Sequence, residues 1–382
     1  MTSMLLANAR LVDADGVVER GWILVQDGVI KPTDVVVVNC SALHAAGVTY
    51  SAGRVITPGP IGLHAEGAAG ASVEDGAEAM RAALAFAAAH GTTRTVLGMG
   101  AGPAKRLSSV LAEVADLAED PSTGVLGAHA EGPFLAPERK GAHDPEQLRL
   151  PTLEEAADLI AAGRGYLRQI TIAPELPGAL PVIEAMVGAG VRVAVGHTEA
   201  SYEQAQAAFE AGATLLTHAF NAMPGIHHRA PGPVTAALAD ERVTLEVVFD
   251  GVHLADPVAR FVFTAAPGRV ALMTDAMAAT GMPDGEYHLG SLGVTVVDGK
   301  AVITGTDTIA GSTLTQDVAL RRAVATGVDL LGAIGALTAT PAAALGLEHQ
   351  FGRLQPGFVA DIVRLSPDLY VKAVWRAGAT LA

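Results

Sequence analysis

Four apolar runs, far apart in the chain, each end in a residue that can bind a metal ion or carry a proton. GVLGAHAEGPF delivers Glu131, VRVAVGH delivers His197, ATLLTHAFNAM delivers His218 and RVALMTDAM delivers Asp275. Two imidazoles and a carboxylate make a ligand set that suits zinc and also iron, cobalt or manganese. Three protein ligands leave one position open for water or substrate, which separates a catalytic ion from a structural one. A carboxylate beside such an ion, here Asp275, can take a proton from water and return it to a leaving amine. Each residue alone has a plainer explanation. A lone His is more often a hydrogen-bonded core residue, and Asp275 before Ala-Met-Ala would cap a helix. Their joint recurrence at the ends of apolar runs points to a divalent-metal hydrolase.

Other segments add candidates around these four. TPGPIGLHAEGAAG places His64 and Glu66 two apart, on one face of a strand. His-x-His there would signal two metals; His-x-Glu is weaker, but its carboxylate could still ligate or bridge a second ion. His129, two residues before Glu131, should point the same way but deeper, as support rather than as a ligand. FNAMPGIHHRAPG, directly after His218, offers Asn221, adjacent backbone amides and Arg229 as an anion site, the Arg fork being suited to phosphate. His227 and His228 read either as further ligands or as solvated loop residues. DGVHL puts His253 on the same rim, and His143 in EGPFLAPERKGAHDP could reach over the pocket. Gly311 and Ser312 in IAGSTLTQ read as a close backbone approach or as a helix start.

These residues need a frame that brings them to one place. Candidate strands fall at 61–66, 94–99, 125–130, 169–173, 191–196, 214–217, 244–249 and 270–274, separated by Ala-rich segments of helical periodicity. Such alternation implies parallel strands and an α/β fold, a (β/α)8 TIM barrel. Glu131 then ends the third strand, His197 the fifth, His218 the sixth and Asp275 the eighth, all on one rim. The two ends of the chain are β-rich. LLANARLV, WILVQDGVI and DVVVVNC with Asp-Gly pairs suggest hairpins, and FGRLQPGFVADIVRLSPDLYVKAVWRAG spaces its β runs with Gly and Pro. The expected organisation is a barrel over 58–346 and a small β-sandwich built from both termini, 1–57 and 347–382.

Bulk composition limits the function classes. Half of the 382 residues are apolar and 17% are charged, which supplies a large core and argues against disorder. A net charge of −15 disfavours nucleic acid and offers no polybasic membrane patch, although a local field can still receive an anion. The single cysteine, Cys40, excludes an intramolecular disulfide and suits a reducing cytoplasm. MTSMLLANARLVDADG lacks the charged start and sustained apolar run of a secretion signal. The apolar stretch 324–347 contains Asp329, several Gly and Pro341, and reads as buried helix and turn rather than a membrane span.

With these residues in view, the chain resembles the N-acetylglucosamine-6-phosphate deacetylase family of the amidohydrolase superfamily. The markers are HAEGPF, GHT, THAFNAM followed by HHRAPG, DGVHL, TDAM and AGSTL, with GRLQPGFVADIV as a more general amidohydrolase ending. The resemblance implies metal-dependent hydrolysis of an acetamide to acetate and glucosamine 6-phosphate. It assigns the metal to Glu131, His197 and His218, acid/base work to Asp275 and polarisation of the acetyl carbonyl to His143. Asn221, Ala222, Arg229 and His253 would hold the sugar phosphate, part of that site coming from a second subunit of a homodimer. The chain departs from the family pattern on the first strand, where Gly62 and Glu66 replace the Asp and second His of PGFIDLHxHG. Alternatives are the galactosamine counterpart, an amidohydrolase acting on a cyclic amide, and an inactive barrel that binds without turnover. The cyclic-amide enzymes commonly carry a bridging Lys, and the strand QITIAP has none.

Overall fold

Runs such as VLGAHAE and VALM show little polar alternation, so their strands need cover on both faces, as in a parallel sheet wrapped by helices. The computed structural model, which describes residues 3–32, 47–50 and 54–382, has that arrangement. Eight strands follow one another in sequence order around one sheet. They are β1 (Ile61–Ala65), β2 (Arg94–Met99), β3 (Val125–Glu131), β4 (Leu167–Ile172), β5 (Arg192–Val195), β6 (Leu215–Leu216), β7 (Thr244–Val248) and β8 (Val270–Met273). All pairings along the sheet are parallel. The ring closes between β8 and β1, where Ala65 bridges Ala276 and the Glu66 N–H donates to the Ala276 carbonyl at 2.8 Å. This is the expected (β/α)8 barrel.

Helices cover the outside, and their starts follow local chemistry. The helix Tyr202–Glu210 begins where the Ser201 side chain accepts from the Gln204 N–H while Gln204 reaches back to the Ser201 N–H at 2.9 Å. That reciprocal cap satisfies two donors a helix start leaves free. Its Ala205, Ala208 and Phe209 are buried. The apolar stretch 324–347 begins at the end of the helix Gln316–Ala325 and forms the short helices Leu330–Leu337 and Ala339–Ala344. Among the described residues no helix is long and apolar enough to cross a membrane.

The two termini share a second sheet. Val55–Pro58 pairs in parallel with Ser3–Asp13 and antiparallel with Ile362–Leu365, joining strands from opposite ends of the chain. The sheet bends over its own core of Leu6, Ile23, Ile56, Ile362 and Trp375, and Val29 bridges Val359 across the fold. Asp27 and Gly28 (φ 51° and 78°) make the tight hairpin turn that an Asp-Gly pair favours. DVVVVNC, with Cys40, lies outside the described residues. A buried ion pair fastens this sheet to the barrel: Arg94, the first residue of β2, donates to both oxygens of Asp361 at 2.6 and 3.1 Å.

One module is absent from the sequence-based reading. Between β8 and the helix Gln316–Ala325 lies a three-stranded antiparallel sheet, Gly285–Leu289, Leu292–Val297 and Lys300–Ile303. The signal was available: VTVVDGKAVI alternates around an Asp-Gly pair, and Asp298 and Gly299 again take positive φ (50° and 74°).

Candidate active site

The strand tips are bent by an uncommon backbone. His197, His218 and Asp275 have φ of 46°, 27° and 53°, a region costly for residues with a Cβ. Each chain therefore turns sharply as its strand ends and leaves its side chain at the mouth of the barrel. Glu131 instead ends β3 and is followed by Gly132 at φ 97°.

Four strands thus bring their tips to one spot. Glu131 Oε1 lies 3.2 Å from His197 Nε2 and 3.0 Å from His218 Nε2, and the two imidazole nitrogens are 3.0 Å apart. His197 Nδ1 lies 2.7 Å from the Arg139 carbonyl, which can only accept, so Nδ1 carries the proton and Nε2 offers its lone pair. Electron-pair donors converging this closely repel unless a proton or cation lies between them. The donor set and its closeness therefore fit a divalent ion. Burial would raise the Glu131 carboxyl, but the charge and hydrogen bonds of His197, His143 and His218 outweigh it and hold it well below the usual carboxylate range.

Around this centre the other candidates fall into two groups. His143, His64, Glu66, His253 and Asp275 all border the same buried cluster. His143 Nε2 is 3.5 Å from Glu131 Oε2, which would also allow it as a ligand. Its Nδ1, however, accepts the Ala101 N–H at 3.1 Å, so the neutral ring carries its proton on Nε2 and faces the pocket as a donor. His64 Nε2 is buried without a hydrogen-bond partner, 3.5 Å from Asp275, 3.7 Å from Glu131 and 3.9 Å from Glu66. Burial, then the charges of Glu131 and Asp275, push the Glu66 carboxyl well above its ordinary value. Such a cluster of carboxylates about an orphaned nitrogen could take a second cation.

Asp275 is placed between two imidazoles. Burial would raise its carboxyl, but His253, 3.6 Å away, outweighs that and lowers it. His253 in turn donates from Nδ1 to Asp250 at 2.7 Å. Burial opposes its charge, yet Asp250 and Asp275 prevail and lift it to about 9. Asp275 is thus a carboxylate near neutral pH, next to a protonated imidazole.

The second group is divided. Asn221 and Ala222 line the cavity, of about 510 Å³, that opens over the cluster. Arg229 does not line it. It is exposed with His227 and His228 on the loop after β6, where its own N–H donates to His227 Nδ1. Within one chain, the phosphate candidates are therefore brought only partly together. Gly311 and Ser312 make a close backbone approach: the Ser312 N–H donates to the Asp275 carbonyl at 2.6 Å, and a Cβ on Gly311 would lie 3.0 Å from that oxygen.

Beneath the cluster is a buried polar layer that the sequence reading caught only at His129. His129 Nε2 is 2.8 Å from Thr171 Oγ1, Thr171 is 2.8 Å from Thr217 Oγ1, and the Gln169 amide donates to Glu246 at 2.8 Å. Burial drives the Glu246 carboxyl up to about 8 despite Gln169. The available signal was register: Gln169 and Thr171 sit two apart within β4, and so on one face.

A parallel barrel that gathers carboxylates and imidazoles at the C-terminal ends of its strands is the architecture of a barrel hydrolase. Residues 55–381 match the Amidohydrolase family, and the chain belongs to it; it is a hydrolytic enzyme. Divalent-metal binding is typical of that family. The chain is 36% identical over 382 residues to the N-acetylgalactosamine-6-phosphate deacetylase of Escherichia coli O157:H7, covering 99% of each. It is also 36% identical over 331 residues to the N-acetylglucosamine-6-phosphate deacetylase of Vibrio furnissii, covering 85% of this chain and 82% of the relative. Its structure is similar to that of a mutant N-acetyl-D-glucosamine-6-phosphate deacetylase from Mycobacterium smegmatis in complex with N-acetyl-D-glucosamine-6-phosphate. That similarity has a TM-score of 0.94 at 38% identity and covers 100% of both chains.

Proposed function

We propose that this enzyme hydrolyses the acetamide of N-acetylglucosamine 6-phosphate to acetate and glucosamine 6-phosphate. The observation that carries the reading is the meeting of Glu131, His197 and His218 beside Asp275 and His143 in one cavity. In this reading those first three residues hold one divalent ion, zinc before iron, cobalt or manganese, and His64 with Glu66 offers a weaker second site. When bound, the ion would acidify water and polarise the acetyl carbonyl.

The chain's own groups supply the rest. Asp275, kept ionised by its neighbours, takes the proton of the attacking water and delivers it to the departing sugar nitrogen. His143, with its proton on Nε2, donates to the acetyl oxygen as negative charge builds there. His253, Asn221 and the Ala222 backbone receive the phosphate, and Arg229 completes that site from the partner subunit of a homodimer. Its exposed position outside its own chain's cavity supports that assignment. The barrel, 58–346, carries this chemistry on a module built from 1–57 and 347–382. A small-molecule substrate and a cytoplasmic setting complete the reading, the latter supported by the single cysteine.

A second reading, the galactosamine epimer, is favoured by the match over the whole length to a relative of that name. Acetate release from the two epimeric sugar phosphates, measured with zinc supplied, tests both. The proposal expects the gluco substrate to have the higher kcat/KM. A clear galacto preference would exchange the two readings, and no acetate from either would reject both.

A further inference from the structure

We propose that the inserted three-stranded sheet and the segment after it form an apolar wall that holds the methyl group of the substrate's acyl chain. The wall thereby sets which acyl groups the enzyme removes. This inference rests on the amino-sugar reading above and deepens it.

The cavity over the metal cluster is lined mainly by charged, polar and small residues. Among the described residues, its large aliphatic side chains are Leu289, Leu292 and Ile309. Leu289 and Leu292 flank the turn between the first two inserted strands, and Ile309 follows the third. Leu289 also packs on a small core of its own, made of Met277, Val294, Val296 and Ala310 with Ala142 against it. That core touches both sides of the reacting centre, since Met277 is two residues past Asp275 and Ala142 directly precedes His143. Ile309 bridges Val302 of the third inserted strand and lies three residues before Ser312, which ties the segment to the end of β8. Ser312 donates to the Asp275 carbonyl at 2.6 Å, and Met277 donates to the Ser312 carbonyl at 3.0 Å.

The chemistry of the substrate selects what meets this wall. An N-acylated sugar phosphate presents hydroxyls, a ring oxygen and a dianion, and its methyl is bonded to the carbonyl carbon that water attacks. The methyl must then lie within one bond of the point that Asp275 and His143 address. An aliphatic surface in the cavity that both residues line suits that group and excludes water from it. Its finite depth would reject longer acyl chains, and one methylene in such a pocket changes kcat/KM by roughly 10–200-fold.

The test compares zinc-loaded wild type, Ile309→Ala, Leu289→Ala and Leu292→Ala on the N-acetyl, N-propionyl and N-butyryl derivatives of glucosamine 6-phosphate. Wild type should prefer the acetyl compound. Ile309→Ala and Leu289→Ala should move the propionyl-to-acetyl ratio of kcat/KM toward propionyl by at least about 10-fold. Leu292→Ala, on the turn, reads the same ratio if either of the others fails to fold. An unchanged ratio in every folded variant, including a parallel loss on all three compounds, overturns the proposal. A wild type that releases no carboxylate from any of them instead overturns the amino-sugar reading on which it stands.

Discussion

The Nδ1 atoms of His64 and His129 face each other at 2.7 Å, so a single proton is shared between them. If His129 holds it, His64 carries its own proton on Nε2 and donates toward Asp275. If His64 holds it, Nε2 turns a lone pair to the carboxylates of Glu131 and Asp275, as a metal ligand must. A second cation therefore binds only while that proton sits on His64, whereas the lone pair of His197 is already exposed by Arg139. Titration of the metal-free protein should show one tight site and a weaker second one. Gly98 supplies a direct handle, because a Cβ there would lie 2.5 Å from His64 Cε1. Gly98→Ala should cost about 1–3 kcal/mol through overpacking and abolish the weak site while leaving the tight one. Two equally tight sites in the wild type would contradict this account.

Loss of a primary ligand should look different. His197→Ala and His218→Ala are expected to lose the metal altogether, beyond the roughly 10–100-fold weakening typical of a missing supporting partner. Both should keep the far-ultraviolet dichroism of the barrel. Elemental analysis decides it: undiminished metal in purified His197→Ala would remove that residue from the ligand set.

Asp275→Asn preserves shape but cannot take a proton from water. Turnover should fall by roughly 100-fold or more, the usual size of an acid/base contribution. Substrate affinity, read by calorimetry on the variant, should stay near the wild-type value. A variant that turns over normally would transfer the proton to another group, and His253 would be the first to examine.

How far these sites could be read beforehand follows from what local sequence encodes. An apolar run closed by Glu, His or Asp specifies both strand and tip, so Glu131, His197, His218 and Asp275 were legible as strand ends, as was the barrel that joins them. The wall of Leu289, Leu292 and Ile309 was not, because the strand-helix rhythm stops at β8 and an Asp-Gly hairpin signal says nothing of what the hairpin packs on. Gln169 and Glu246 were hidden for another reason. A polar residue inside a strand points to solvent in most sheets, and only closure of the barrel turns these inward. Arg229 shows a third limit, since a loop has no periodicity to say which way its side chains face, and this one lies exposed outside the cavity.

Stability should depend on how the terminal sheet is fastened. Arg94 and Asp361 are both buried and doubly hydrogen-bonded, and Asp361 also accepts the Ala377 N–H at 2.8 Å. Removing one partner strands a buried charge, so Asp361→Ala should lose about 3–5 kcal/mol. The pair lies at the start of β2, at the barrel end opposite the strand tips, so turnover at a permissive temperature should follow the wild type. Urea unfolding of wild type and variant measures the first, and steady-state kinetics the second. A variant as stable as wild type would show that the pair positions the sheet without holding it.

A last prediction concerns acid. Asp317 accepts from Thr315 at 2.6 Å and Arg321 at 2.9 Å, and lies 3.2 Å from His90 at the end of the helix Ala77–Ala89. Burial would raise its carboxyl, but these partners together bring it down to about 2. An unfolded aspartate titrates near 3.9. Because the folded value is the lower one, the unfolded chain binds the proton more readily, and this contribution is present above about pH 4 and lost as pH falls toward 2. Allowing for screening at its partly exposed partners, it should amount to about 1–2 kcal/mol. Asp317→Asn should therefore be less stable than wild type by that amount at pH 7, with the difference shrinking as the two curves approach pH 2. Metal-free samples of both proteins keep loss of the ion from masking the effect. A gap that stayed constant from pH 7 to pH 2 would mean that Asp317 acts through its hydrogen-bond geometry and not through its charge.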